Sequence, residues 1–114
     1  MSFPKRFEDD GGTVTVDLHG STVRDALYIA RRCVQEGYRQ GRSKVDVIHG
    51  ASTSGRESRR TIKTALLDQL ERGAFADWSS GHTTDASGGR TTVWLNIGPN
   101  ADPARIRVND VVPR

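Results

Sequence analysis

The chain holds a single cysteine, Cys33, so neither an intramolecular disulfide nor a thiolate metal cluster can form from it. Aromatic residues are only 6% of the sequence and hydrophobic residues 34%, so any core must be built mainly from Val, Ile, Leu and Ala. No apolar run approaches the roughly 20 residues that cross a bilayer, and no basic leader precedes a hydrophobic stretch. These scarcities exclude disulfide scaffolds and membrane spans, and the expected setting is the reducing cytoplasm. Lysine is scarce too. Of 17 basic residues only three are Lys, against 14 Arg, and the formal net charge is +3. Arginine suits bidentate contacts to phosphate, so a nucleic acid or another phosphorylated partner gains weight. A length of 114 residues fits one domain.

What is present is periodicity. Thr13 to Leu18 alternates, with Val14, Val16 and Leu18 on one face and Thr13, Thr15 and Asp17 on the other, which predicts a strand. Thr22 and Asp25 resemble a capping box opening a helix through Ala26, Ile29, Ala30, Cys33 and Val34, stopped by Gly37 or Gly41. Lys44 to Ile48 reads as a second strand. Ser54-Gly55-Arg56-Glu57 has the form of another capping box, placing a second helix directly after it, with Ile62, Leu66 and Leu70 as its apolar stripe and Gly73 as its end. Ala74 to Trp78 is a weaker third strand, Ser79 to Gly89 a polar loop, and Arg90 to Ile97 a fourth strand. Residues 1–12 read as an arm and 98–114 as a proline-bearing tail, leaving 13–97 as the domain. The order β-α-β-α-β-β makes an α/β fold with the first two strands parallel.

Both strand-to-helix turns then open at the carboxyl edge, where ligands of open α/β sheets usually bind. The first carries Asp17, His19 and Gly20, the second His49 and Gly50. An aliphatic-His-Gly sequence after each parallel strand points to a site with three groups able to move protons or hold a metal at one mouth. Polar residues where a strand's core runs out are the plain alternative. A two-histidine, one-aspartate metal site is chemically reasonable, although the chain has no H-x-x-x-H spacing. A serine nucleophile at Ser52 or Ser54 lacks a visible alignment with His49. Gly50, Ser52, Thr53, Ser54 and Gly55 lead toward Arg56, Arg59 and Arg60, a small-residue turn suited to an anion. His49, at a solvent-facing strand end, is expected to be neutral. His82 falls in the polar loop and could close on a bound strand. Trp94 either packs under a helix or offers a stacking surface, the former being the expectation.

Val16-Asp17-Leu18-His19-Gly20, then Val47-Ile48-His49-Gly50 with its small-residue turn, then Gly88-Gly89-Arg90-Thr91-Thr92-Val93-Trp94-Leu95, resemble the small MutS-related (Smr) domain over about Thr13 to Ile97. The resemblance implies a βαβαββ two-layer sandwich with a mixed four-stranded sheet and two helices, similar to the carboxy-terminal domain of bacterial translation initiation factor three. It also implies endonuclease activity on DNA or RNA. By similarity Asp17 and His19 take the positions tied to cleavage, and His49-Gly50 begins an H-G-x-G turn in which Ser52 stands where glycine is usual. His49 would be an acid or a phosphate ligand, while Gly20, Gly50 to Gly55 and the arginines would hold phosphate. No cofactor is needed if RNA is cut through its own 2′-hydroxyl; a divalent ion, Mg or Mn, is expected if DNA is cut by water. The alternative is a non-catalytic nucleic-acid-binding module acting with a partner protein.

Overall fold

A computed structural model describes residues 4–50, 61–98 and 104–113. Strands β1 (Arg6–Asp9), β2 (Thr13–Asp17), β3 (Lys44–Ile48), β4 (Ser79–Thr84) and β5 (Arg90–Leu95) form one sheet in the order β1-β2-β3-β5-β4, with helices α1 (Val23–Arg39) and α2 (Ile62–Glu71). β2 and β3 are parallel, while every other neighbouring pair is antiparallel. The α/β class and mixed sheet are those the alternation patterns predict, with five strands rather than four.

The fifth strand comes from the expected arm. In β1, Phe7 packs against the core while Arg6 and Glu8 pair with each other on the outer face. Charge on an outermost strand hides its period from a hydropathy reading and also protects the edge from further pairing. Asp9, at the end of β1, is buried against Arg42 at 2.8 Å, and the same carboxylate accepts from the backbone N–H of Ile106.

The core lies on one face of the sheet. Val14, Val16, Val45, Val47 and Val93 meet Ala26, Ile29, Ala30, Cys33 and Val34 of α1 and Ile62 and Leu66 of α2. Full burial of such a side chain contributes about 1.5–3 kcal/mol. Burial also pushes the Cys33 thiol far up, so it behaves as an inert core residue. The tail completes this layer. Ile106, Val111 and Val112 belong to the same cluster, and Arg32 donates to the Asp110 carbonyl beside a short 3-10 turn, Val108–Asp110.

Helix α1 is capped at Thr22, whose side chain accepts from the Asp25 N–H, and runs through Gly37 to a cap at Gln40, just before Gly41. Gly37 serves close packing rather than termination: a Cβ there would lie 2.9 Å from Leu95 Cδ1. Helix α2 starts later than the Ser54–Glu57 pattern predicts. Its N-cap is Thr61, in a reciprocal box with Thr64, so Lys63 rides its first turn and Arg56, Arg59 and Arg60 precede it in sequence.

The third predicted strand is displaced. Residues 74–78 form turns around the buried Phe75, and the strand is β4, inside the expected loop. Ser79 to Thr84 has weak intrinsic strand preference, but the short 85–89 connection brings it into register with β5, and pairing overrides propensity.

Candidate active site at the ends of the parallel strands

β2 ends at Asp17, and the chain turns so that one carboxylate oxygen accepts two bonds from the same residue: the His19 backbone N–H at 3.1 Å and His19 Nδ1 at 2.6 Å. Because an ionised carboxylate only accepts, it holds the proton on Nδ1 and presents Nε2 outward. The Asp17 side chain is 17% exposed and that of His19 49%, so the anchor is sheltered and the imidazole is half exposed. Gly20 follows at φ +85°, a conformation that lets the chain leave the strand sharply.

Lys5 completes this cluster, and nothing in the sequence of the arm marks it. Its backbone N–H donates to the Asp17 carbonyl, and its Nζ lies 3.2 Å from His19 Nε2. A Cβ on Gly20 would lie 3.4 Å from both Cε and Nζ of this lysine. Pairing of β1 with β2 thus sets an ammonium beside the imidazole.

His49 does not join them. Asp17 pairs with Ile48, and side chains alternate along a strand, so His49 falls on the opposite face from Asp17. It is 6% exposed, contrary to the solvent-facing place expected of it. Its Nδ1 lies 2.8 Å from the Gly50 carbonyl oxygen, to which it donates, which leaves Nε2 to accept from Thr91 Oγ1 at 2.8 Å. Thr91 in turn meets Thr84 Oγ1 at 3.0 Å. Burial lowers the pKa of His49 below its ordinary value, with Lys63 adding to the effect and the Gly50 bond and Asp85 opposing it, which favours the neutral ring through burial rather than through the solvent-facing place expected of it.

What His49 does is hold two turns together. The N–H groups of His49 and Gly50 both donate to the Gly89 carbonyl, at 3.0 and 3.1 Å. This gives the Gly88-Gly89 pair a structural meaning: the β4–β5 turn is fastened over the end of β3. Gly50, at φ +89°, comes within 3.8 Å of His19 Cβ when given a Cβ of its own. Its amide is already used on Gly89. His82 sits on β4 opposite Val93 instead of in a loop. Ser52, Thr53, Ser54, Gly55, Arg56, Arg59 and Arg60 lie outside the described residues.

Among the described residues no group of three His, Cys, Asp or Glu side chains could hold a metal ion. The donors themselves explain this, since Asp17 and His19 are bonded to each other and both nitrogens of His49 are engaged elsewhere. The Asp17, His19 and His49 side chains, a chemically reasonable ligand set in the sequence, are not brought together.

The profile of the Smr domain family matches residues 16–96, which runs from the strand carrying Asp17 to just beyond the strand carrying Thr91. The chain belongs to the Smr domain family. No curated protein and no solved structure matches it. Smr domains are a nuclease-related, nucleic-acid-binding family. In this Smr domain the matched region excludes Lys5, although Lys5 stands against the histidine. No helix among the described residues is long and apolar enough to cross a membrane.

Proposed function

We propose that this Smr domain is an endonuclease centred on Asp17 and His19, and that its substrate is RNA cut through its own 2′-hydroxyl. The observation that carries the reading is the Nε2 of a half-exposed imidazole whose other nitrogen is fixed on a sheltered carboxylate, beside an ammonium group. In the free protein Lys5 donates to that nitrogen. A bound phosphate competes for the ammonium, which leaves Nε2 open to accept the 2′-hydroxyl proton. The 2′-oxygen then bonds to phosphorus, the bond from phosphorus to the 5′-oxygen breaks, and that oxygen takes a proton from solvent. Asp17 stabilises the imidazolium formed, and Lys5 the charge that grows on the phosphate. The products are a 2′,3′-cyclic phosphate and a 5′-hydroxyl. His49 acts as a positioning residue through the Gly50 and Gly89 contacts.

DNA lacks the 2′-hydroxyl, so its cleavage would need water as the attacking group, and a strand with 2′-deoxy sugars separates the two routes. The test is incubation of single-stranded RNA with the protein in chelator. Ends carrying a 2′,3′-cyclic phosphate, absent with His19→Ala, are the expected result; equal cutting of a strand with 2′-deoxy sugars would overturn the RNA route. A second reading, binding without turnover, draws on the engagement of His49: the mouth then has one exposed histidine and no second imidazole to act as acid. Equal RNA affinity in wild type and in an Asp17→Ala, His19→Ala double variant, with no cleavage by either, would favour it.

A further inference from the structure

The helices and the tail cover one face of the sheet, and the other face carries Thr13, Thr15 and Asp17 of β2, Lys44, Asp46 and Ile48 of β3, and Arg90, Thr92 and Trp94 of β5. Trp94 is 43% exposed there, contrary to the expectation that it packs under a helix. Its indole is held in place. Lys44, its partner across β3, sets Nζ 5.2 Å from the ring centroid, and the indole N–H lies 3.4 Å from Thr83 Oγ1. Its partner across β4 is Gly81, where a Cβ would meet nothing within 4 Å. The ring therefore has a cation on one flank and open space on the other.

The chemistry of this face selects its occupant. A protein-docking face needs an apolar patch, but Trp94 stands among threonines and charged groups. The acidic groups of this face are engaged: Asp46 faces Arg90 at 3.7 Å and accepts from Thr92 at 2.7 Å, Glu8 pairs with Arg6, and Asp17 holds His19. An oriented indole with nearby cations and hydroxyls suits a nucleobase joined to phosphates. The face is also continuous with the site, because Arg90 pairs with Ile48 and Ile48 with Asp17. From Arg90 to Trp94 is four residues of strand, about 13 Å at ~3.3 Å each. That is at most about four nucleotides of a stacked strand at ~3.4 Å each.

We infer that the open sheet face is a single-strand platform on which Trp94 stacks a nucleobase, a few nucleotides from the phosphodiester held at Asp17 and His19. The inference rests on the nucleic-acid reading of that site and adds to it a preference for single strands, since a paired base cannot lie flat on the indole. A duplex would reach the site edge but not the platform.

The test is equilibrium binding of fluorescent oligouridine, of a duplex RNA of equal length, and of an oligouridine with abasic units, to a His19→Ala background that does not cut. Trp94→Ala should weaken oligouridine binding about tenfold, the weight of one stacked base. Trp94→Phe should retain most of the affinity. Gly81→Val, which fills the open flank and leaves the indole in place, should weaken binding as well. Duplex and abasic strands should bind all variants alike. Unchanged oligouridine affinity in a folded Trp94→Ala, which is the result expected if the face serves a protein, overturns the inference; so does an equal loss on abasic strands, or no binding of any strand by the parent. Failure of the cleavage reading is separable: wild type that binds oligouridine through Trp94 yet never cuts leaves the platform standing. Cutting and binding that ignore Trp94 do the reverse.

Discussion

The two His-Gly turns are nearly the same in sequence and opposite in use. Leu18-His19-Gly20 and Ile48-His49-Gly50 end neighbouring parallel strands, and each glycine takes a positive φ. His19 keeps the parity of Asp17, so its ring lies on the open side, half exposed. His49 is one step out of that parity, so its ring goes inward to Thr91 and both nitrogens are consumed. A single position of strand parity separates a half-exposed imidazole from a buried one.

The sharpest test of that contrast replaces each histidine in turn. His19→Ala should lower RNA cleavage by about 10²–10⁴-fold, the usual weight of a general base, while unfolding free energy moves by less than about 0.5 kcal/mol, as for other exposed substitutions. Cleavage kinetics beside urea melts read both numbers. His49→Ala should act chiefly on folding, costing about 1–3 kcal/mol of stability because the Thr91 hydroxyl loses its buried imidazole acceptor. If His49→Ala abolishes cleavage and leaves the melt unchanged, the structural assignment of that turn is wrong. A double-mutant cycle with Thr91→Val isolates the shared bond, since two changes in one network do not add.

Acid should distinguish the turns as well. The folded protein holds His49 below its ordinary value of 6.5 by burial, so the unfolded chain binds the proton more readily. Stability from the neutral ring is therefore fully present above about pH 6.5 and lost as pH falls below it. Urea melts across this range should show the loss in wild type and a reduced loss in His49→Gln. The smallest effect is expected at Lys5. Lys5→Ala removes an exposed ammonium–imidazole hydrogen bond, and a roughly two- to fivefold fall in kcat with KM little changed fits its stabilising the charge that grows on the phosphate; a rise in KM alone would place it in ground-state binding instead.

Sequence pattern reveals elements whose two faces meet different surroundings. Thr13 to Asp17 and Arg90 to Leu95 alternate because one side meets the core and the other stays outside, and the α1 stripe is equally plain. β1 and β4 do not announce themselves, because an outermost strand is specified by its neighbour's hydrogen bonds more than by its own side chains. Asp17, His19 and Gly20 are legible because the Asp17 carboxylate binds two residues along the same chain. Lys5 and Thr91 are not, since each reaches its histidine through pairing of segments distant in sequence. Likewise the exposure of Trp94 follows from which face the helices cover, and alternation alone leaves that choice open.

Arg42 and Asp9 deserve a reading in terms of where a protein can be cut. Arg42 grips the Asp9 carboxylate and the Ala104 carbonyl, and the Ile106 N–H holds the same carboxylate, so one buried guanidinium clasps an early strand to a late segment. The region matching the Smr profile, 16–96, includes the guanidinium and neither of the segments it clasps. A fragment trimmed to those bounds would take from the buried Arg42 its Asp9 carboxylate, uncover the apolar surface beneath Ile106, Val111 and Val112, and lose the lysine beside His19. The packed unit of this molecule is thus wider than the region that matches the family, since β1 and the segment holding Ile106, Val111 and Val112 close over its core.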